Sequence, residues 1–528
     1  MKKKLLVFMM AALLVFSGCN SKTEPTGENT TEIVEDNKEV VEVVEEEKVD
    51  EPITLNLPGG DYGNLSPFTH YSRGPGSYKM ALIFDGLLER GEEGIIPWLA
   101  ENWEISDNGL DYVFNIHKDV KWQDGQDMTA EDIKFTLEYY TKFPPVSNSL
   151  NLDNHNFITG IEVLDPHSIK ISVEKEDATL LEKFGTMKII PKHIWENVED
   201  PITFNAPEAV IGCGPYKLVE YEPELGAYKL EAFDEYWGPK PGADVIQFIP
   251  VSDSVLAFES GEIDLISVDP DIVGKYQENS EFKILQDPAF WGYQLHFNME
   301  KRPELLDKNL RQAIAYAVNQ EELVEKVGRG IGEPGSAGYL PVDHKMYNPD
   351  VKKYEFDLEK AKELLGGKTY TFKLNIRNGN SDARIAELIK INLEQIGINL
   401  EVISMDTKTS DAALRSGDFE IALNGYGGWG GDPDMLRTRY SSVDGSTIGY
   451  KNEELDTLLE EQRRIIDENA RKEKVYQIQD VLAEEVISLP LYNTSSYTIF
   501  RPEKYDGWKH VFNHHEASHN KISFVEMK

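Results

Sequence analysis

The sequence is poor in cysteine, in positive charge and in long apolar runs, and each shortage removes a class of protein. Cys19 and Cys213 are the only cysteines among 528 residues. A disulfide-dense scaffold is therefore excluded, and a chain of this length can bury enough apolar surface without one. Lys and Arg number 54 against 93 Asp and Glu, for a formal charge of −39. Nucleic-acid phosphates require clustered basic residues, and so does an anionic membrane surface, so neither is expected as a direct partner. The longest apolar run, Leu5 to Phe16, falls short of the roughly 20 residues that span a bilayer. Nucleotide-binding loops of the G-x-x-x-x-G-K-[ST] or dinucleotide type and the G-x-S-x-G elbow are also missing. No cofactor and no enzymatic activity are expected.

What is present begins with M-K-K-K before that apolar run. Three lysines, a short hydrophobic core and small residues behind it read as a secretory signal over residues 1–18. Phe16-Ser17-Gly18-Cys19 resembles a bacterial lipobox, so Cys19 is expected to become the lipidated N-terminus. Residues 19–51 are rich in Thr, Glu, Val and Asn and lack aromatics. Such a segment cannot bury enough surface to offset its ordering entropy and reads as a disordered acidic linker. The expected location is the outer face of the bacterial cell membrane, tethered by lipid alone. Cys213 then has no partner for an internal disulfide and reads as a small buried residue.

The remainder patterns as α/β. Tyr370 to Ile376 alternates with the period of a half-buried strand. Ile385, Leu388, Ile389, Leu393 and Ile396 follow at helical spacing and stop at Gly397, after which Ile398, Leu400 and Val402 alternate again. This order predicts a β-α-β unit. A second helix is predicted from about Asp307 to Val318, and a third from Asp357 through Leu365, ended by Gly366-Gly367. Tyr112 to Ile116 and Ser168 to Val173 alternate as strands, with a turn at Asp165-Pro166. Ile522 to Val525 reads as a closing strand.

One stretch fits neither pattern: N-G-Y-G-G-W-G-G-D-P-D-M-L, Asn424 to Leu436. Its glycines permit positive φ and close approach of another chain. Tyr426 and Trp429 offer flat apolar area to a ligand or to the core. Asp432-Pro433-Asp434 before Met-Leu-Arg reads as a helix start, with Asp432 at N-cap and Pro433 at N1.

Landmarks along the chain resemble family 5 of the solute-binding proteins that serve ABC importers of peptides, nickel chelates and some sugars. They are Asp85-Gly86-Leu87-Leu88, Pro97 to Trp103, the block Tyr112 to Asp132, Gly212-Cys213-Gly214-Pro215-Tyr216, Phe297-Asn298 and Arg311 to Val318. Together they run in order from residue 85 to residue 318. The resemblance implies a type II periplasmic-binding-protein fold, α/β and two-lobed, with an extra inserted subdomain. Lobe I would comprise 52–82, 207–289 and 490–528, the inserted subdomain 83–206, and lobe II 290–489. It further implies hinge closure on a peptide or other small solute, delivery to permease subunits, and a monomeric receptor. In peptide-binding members an aspartate after a Gly-Trp holds the ligand's α-ammonium; from Gly428-Trp429 that position falls on Asp432. Trp291 and Tyr293, beside the expected hinge, and Phe68 are the further ligand-binding candidates.

The C-terminal histidines leave a metal open. His515-Glu516-Ala517-Ser518-His519 matches H-E-x-x-H, whose zinc chemistry needs both histidines on one helical face and a third ligand. The expected strand after it argues against a metal-dependent hydrolase. The clustering of His510, His514, His515 and His519 nevertheless keeps a nickel or metal-chelate receptor as one alternative, and the abundant Trp and Tyr an oligosaccharide receptor as another.

Overall fold

In the computed structural model, which describes residues 52–71, 74–151, 155–443, 445, 448–514 and 516–527, the predicted β-α-β unit forms as read. Strands Tyr370–Arg377 and Ile398–Met405 pair in parallel in register Tyr370↔Ile398, joined by helix Asn380–Glu394. Gly397, at φ +89°, makes the turn into the second strand, where a side chain would be strained. The expected helices form with their expected ends. The Asp307 carboxylate caps Lys308–Ala317; the Asp357 carboxylate caps Leu358–Leu365, and left-handed Gly366 ends it. The signal peptide, Cys19 and the linker lie outside the described residues, as do His515 and the side chain of Tyr426.

The unit belongs to a six-stranded sheet that also contains Trp291–Phe297, Ile421–Tyr426, Ser488–Thr494 and the short Glu333–Pro334. Its core gathers Leu295, Ile314, Phe372, Leu374, Ile389, Leu423 and Leu482. A four-stranded sheet places Thr54–Pro58 parallel to Val245–Ile249, followed by Ala227–Ala232 and Tyr216–Glu222. A second four-stranded sheet pairs Ala100–Ile105, Asp111–Ile116, Ser168–Val173 and Ile158–Asp165, with the hairpin turning at Asp165-Pro166. A three-stranded sheet joins Leu265–Val268, Tyr497–Phe500 and Lys283–Gln286.

The chain leaves the three-stranded sheet after Gln286, enters the six-stranded sheet at Trp291, and returns between Thr494 and Tyr497. The two crossings are tied together. The Asp287 N–H donates to Ser496 O at 2.9 Å. The buried Asp287 carboxylate accepts from Ser496 Oγ, Thr498 Oγ1 and His510 Nε2 at 2.6, 2.9 and 2.7 Å.

Two segments differ from expectation. Ile522 to Val525 is no strand: Lys521–Phe524 is a 3-10 turn, and Val525 makes only a single bridge to Pro241. All five side chains are buried, and Lys521 reaches Asp85 and Glu89, 3.2 Å from the latter. Alternation was therefore produced by packing on all sides rather than by a sheet. Asp434, not Asp432, directly precedes helix Met435–Tyr440. The Asp432 carbonyl accepts from Met435 N at 3.1 Å and its Oδ1 from Asp434 N at 2.8 Å, so Asp432 caps a turn that leads into the helix.

Candidate functional site

Ligands of open α/β sheets sit in the crevice outside the carboxyl ends of the parallel strands. In the six-stranded sheet those ends are Arg377, Met405 and Tyr426, so the glycine-rich stretch leaves the sheet at this edge. The antiparallel neighbours bring Trp291 and Thr494 to the same edge, through the pairs Gly292↔Tyr426 and Trp291↔Thr494. Trp291 and Tyr293 are half-buried and meet edge to face, with ring centroids 4.7 Å apart. Tyr293 stacks on Tyr492 at 5.4 Å. Arg377 donates to the Asn424 side chain and to Gly425 O at 3.3 Å, and its buried Nε has no partner among the described residues.

The glycines of the stretch serve the protein's own packing. A Cβ on Gly425 would stand 2.5 Å from the Trp291 ring, and one on Gly430 2.6 Å from both the Phe290 ring and Phe512 O. Gly428 takes φ +84°, a conformation that favours glycine. Among the expected ligand contacts, Trp429 is 3% exposed and lies in the core with the Arg439 guanidinium 4.2 Å from its ring centre. Burial leaves it no face for a solute. Phe68 is likewise 4% exposed, packed edge-on against Tyr139 and Tyr140 and tilted against Trp195.

Asp432, expected to hold a ligand ammonium, is engaged by groups of the protein itself. Its two oxygens accept from Arg471 Nη1 and Nη2 at 2.8 and 2.6 Å, a bidentate geometry, while Oδ1 also holds the Asp434 N–H. Asp434 is bound in turn by Arg437 Nε at 2.8 Å and Gln462 Nε2 at 2.9 Å. Burial alone would raise the Asp434 carboxyl, but Arg437 outweighs it and holds the group below its ordinary range.

A second wall lies at the carboxyl ends of the other parallel pair, Thr54–Pro58 and Val245–Ile249. A cavity of about 310 Å³ opens there, lined among others by Tyr62, Tyr78, Lys79, Phe248, Glu516 and His519. Lys79 comes from helix Gly74–Ala81; Glu516 and His519 come from the C-terminal turn. Lys79 is 6% exposed, and burial pushes its ammonium down to about 7 although Glu516 opposes the shift. Burial, assisted by Glu516, raises the Tyr62 phenol. Tyr78 is pushed up to about 12 by burial, with Arg90 opposing and Glu516 assisting.

The histidines divide. His510 is held by Asp287, whereas His519 stacks on Tyr78 with centroids 4.7 Å apart and lies 3.3 Å from Glu516. The His514 and His519 ring centroids are 5.3 Å apart. Ala517–His519 is a 3-10 turn, not the helix that H-E-x-x-H chemistry needs. Among the described residues no group of three or more His, Cys, Asp or Glu side chains could hold a metal ion.

Sequence reading passed over Arg377 and Lys79, and weighed Glu516 only within the H-E-x-x-H motif. The signals were there: Arg377 ends the first strand of a β-α-β unit, and Lys79 interrupts an apolar run, S-Y-K-M-A-L-I-F. The family model for bacterial extracellular solute-binding proteins, family 5 (middle), matches residues 94–447. The chain belongs to this family. Its relatives include the dipeptide-binding protein of Escherichia coli K12, 25% identical over 453 residues, 78% of this chain and 83% of that protein. Heme-binding protein A of Haemophilus influenzae is 26% identical over 461 residues, 80% and 83% of the two chains. The solved ABC transporter substrate-binding protein CtaP of Listeria monocytogenes superposes with a TM-score of 0.77 at 28% identity, covering 88% of this chain and 98% of that one. The fold is thus the two-lobed type II periplasmic-binding-protein architecture.

Several family landmarks acquire structural reasons. Asp85 is fully buried and accepts from Trp98 Nε1, Tyr236 OH and Trp237 Nε1 at 3.0, 3.2 and 3.1 Å, besides Lys521. Gly212 and Gly214 lie where a Cβ would collide with the carbonyls of Ile83 and Leu82. Arg311 reaches the carbonyls of Leu305, Glu485 and Val486 from within the core.

Proposed function

We propose that this chain captures short peptides outside the cytoplasmic membrane and delivers them to the permease of an ABC importer, without catalysing a reaction. One observation carries the reading. The carboxyl-terminal ends of the parallel strands in two sheets carry groups of both signs, Arg377 beside Trp291 in one sheet, and Lys79 with Glu516 among tyrosines in the cavity at the other. A zwitterion with an apolar body is the solute that such walls suit. Buried charges require partners, and a peptide supplies both. The dipeptide-binding relative supports the same class. Lobe II would start near residue 290, as the first crossing supports, and would end near 495 rather than 489, as the second crossing supports. Lobe I would comprise 52–82 and 207–289 with the returning C-terminal segment, and 83–206 would be its inserted subdomain. Cys19 would carry the lipid that keeps the receptor, a monomer, at the membrane.

A second reading is a metal-chelate receptor, favoured by His519 lining the cavity beside Glu516. Native mass spectrometry of the protein as purified separates the two. A retained mixture of short peptides is expected; a single stoichiometric metal complex, or a sugar, would overturn the peptide reading.

A further inference from the structure

Lys79 is a buried ammonium without a counter-ion among the described residues. It makes no hydrogen bond or ion pair among the described residues. Its Nζ lies 4.0 Å from the centre of the Phe248 ring and 4.8 Å from that of Tyr62. Ring faces stabilise a cation, but they leave its three N–H donors unused. The carboxylate that acts on it electrostatically, Glu516, is turned to His519, 3.3 Å away. Leaving a charge desolvated and unpaired is strongly unfavourable, and an apolar residue here would make the lobe more stable. The cavity in front of the amine, about 310 Å³, has the volume of about ten waters and opens at the strand ends where a solute is expected.

We propose that the Lys79 ammonium seats a carboxylate of the captured solute. The inference rests on the peptide reading and narrows it to ligands that present a carboxylate to lobe I. Either the chain terminus or an acidic side chain supplies that group. The aromatic rings of Phe248 and Tyr62 would wall the charge pair off from water, where an ion pair is stronger. Glu516, on the same wall, would repel a carboxylate displaced toward it and so fix the orientation. Binding would also restore the proton that burial weakens. The titratable groups that line the cavity with the amine are Tyr62 and Tyr78, whose phenols are both raised, and Glu516 with His519.

The test offers the full chain three sets of tripeptides in competition: neutral side chains with a free C-terminus, the same peptides as C-terminal amides, and amides carrying one glutamate. Bound species are read by native mass spectrometry. Wild type is expected to prefer carboxylate-bearing peptides over plain amides by about tenfold or more, the worth of a charged hydrogen bond. Which of the two carboxylate sets wins identifies the source of the group. Lys79→Met and Lys79→Gln are both expected to abolish the preference, with a melting temperature equal to or above wild type for the methionine variant without solute. Calorimetry at pH 8 in two buffers should show uptake of about one proton on binding, absent in both variants. A carboxylate preference that persists in both variants, or wild type that binds plain amides equally well, overturns the assignment while leaving the peptide reading standing. Wild type that takes none of the three sets overturns the peptide reading and this inference with it.

Discussion

At the scale of single residues, two charged groups exchange the roles their positions in the sequence suggest. Asp432 looked like a ligand contact and is tied to Arg471; Lys79, passed over inside an apolar run, faces a cavity. Asp432→Asn removes a charged bond to the largely buried Arg471 and is expected to destabilise the fold by about 2 kcal/mol. Denaturant unfolding should report that loss, while the dissociation constant for a retained peptide stays within about twofold, the scatter of a site not in contact. A large loss of affinity at unchanged stability would restore the ammonium role. Lys79 gives a pH signature. Its folded value near 7 lies below the ordinary 10.5, so between these values the unfolded chain holds a proton that the folded chain lacks. Its contribution to stability therefore grows as pH rises through that window and is lost as pH falls toward 7. Melting temperatures of wild type and Lys79→Met without solute should converge from pH 7 to pH 9.5.

At the scale of elements, periodicity made the β-α-β unit, the capped helices and the Tyr112 and Ser168 strands legible, because each buries one face at a regular spacing. Cys213 was legible as a small buried residue and is fully enclosed. The last turn was not legible: Ile522, Ser523, Phe524 and Val525 alternate like a strand, yet they are packed on all sides around Lys521. Only the tertiary partners Asp85 and Glu89, more than 400 positions away, decide that conformation. The glycine stretch was legible as a break in periodicity but not in its detail, since two of its glycines give way to Trp291, Phe290 and Phe512. Gly425→Ala would drive a methyl group into the Trp291 indole. A loss of about 1–3 kcal/mol is expected from such overpacking, together with a shift of tryptophan emission and weaker solute binding. Unchanged emission would mean that the ring is not held there.

At the scale of the whole molecule, two ionic joints link distant parts of the chain. Lys521 is 3.2 Å from Glu89 and also bonds Asp85, both buried. Burial would raise the Glu89 carboxyl, yet Lys188 and Lys521 outweigh it and pull it down to about 2. Removing a partner from such a group is expected to destabilise by about 3–5 kcal/mol, so Lys521→Met should lower the unfolding midpoint far more than Lys79→Met changes it. The other joint is Asp177, hydrogen-bonded to Thr179, which meets Arg463 at 2.5 Å; Ala178 N also donates to Arg463 O at 2.7 Å. These contacts connect the 83–206 segment to a helix packed in the six-stranded-sheet core. If the contact belongs to the solute-closed arrangement, Arg463→Ala lowers the closed population and raises the dissociation rate about threefold to tenfold, as a lost partly buried pair implies. Stopped-flow release of a bound peptide measures this; an unchanged rate would assign the joint to both arrangements.

The knot at Asp287 has a kinetic meaning. Because one carboxylate and one backbone bond hold both crossing segments together, the two crossings are expected to turn as a common pivot. A solute of the wrong length is therefore expected to leave closure incomplete rather than to be accommodated by shear. Selectivity is then written into how long the shut molecule stays shut, so cognate and near-cognate solutes should arrive at similar rates and depart at very different ones.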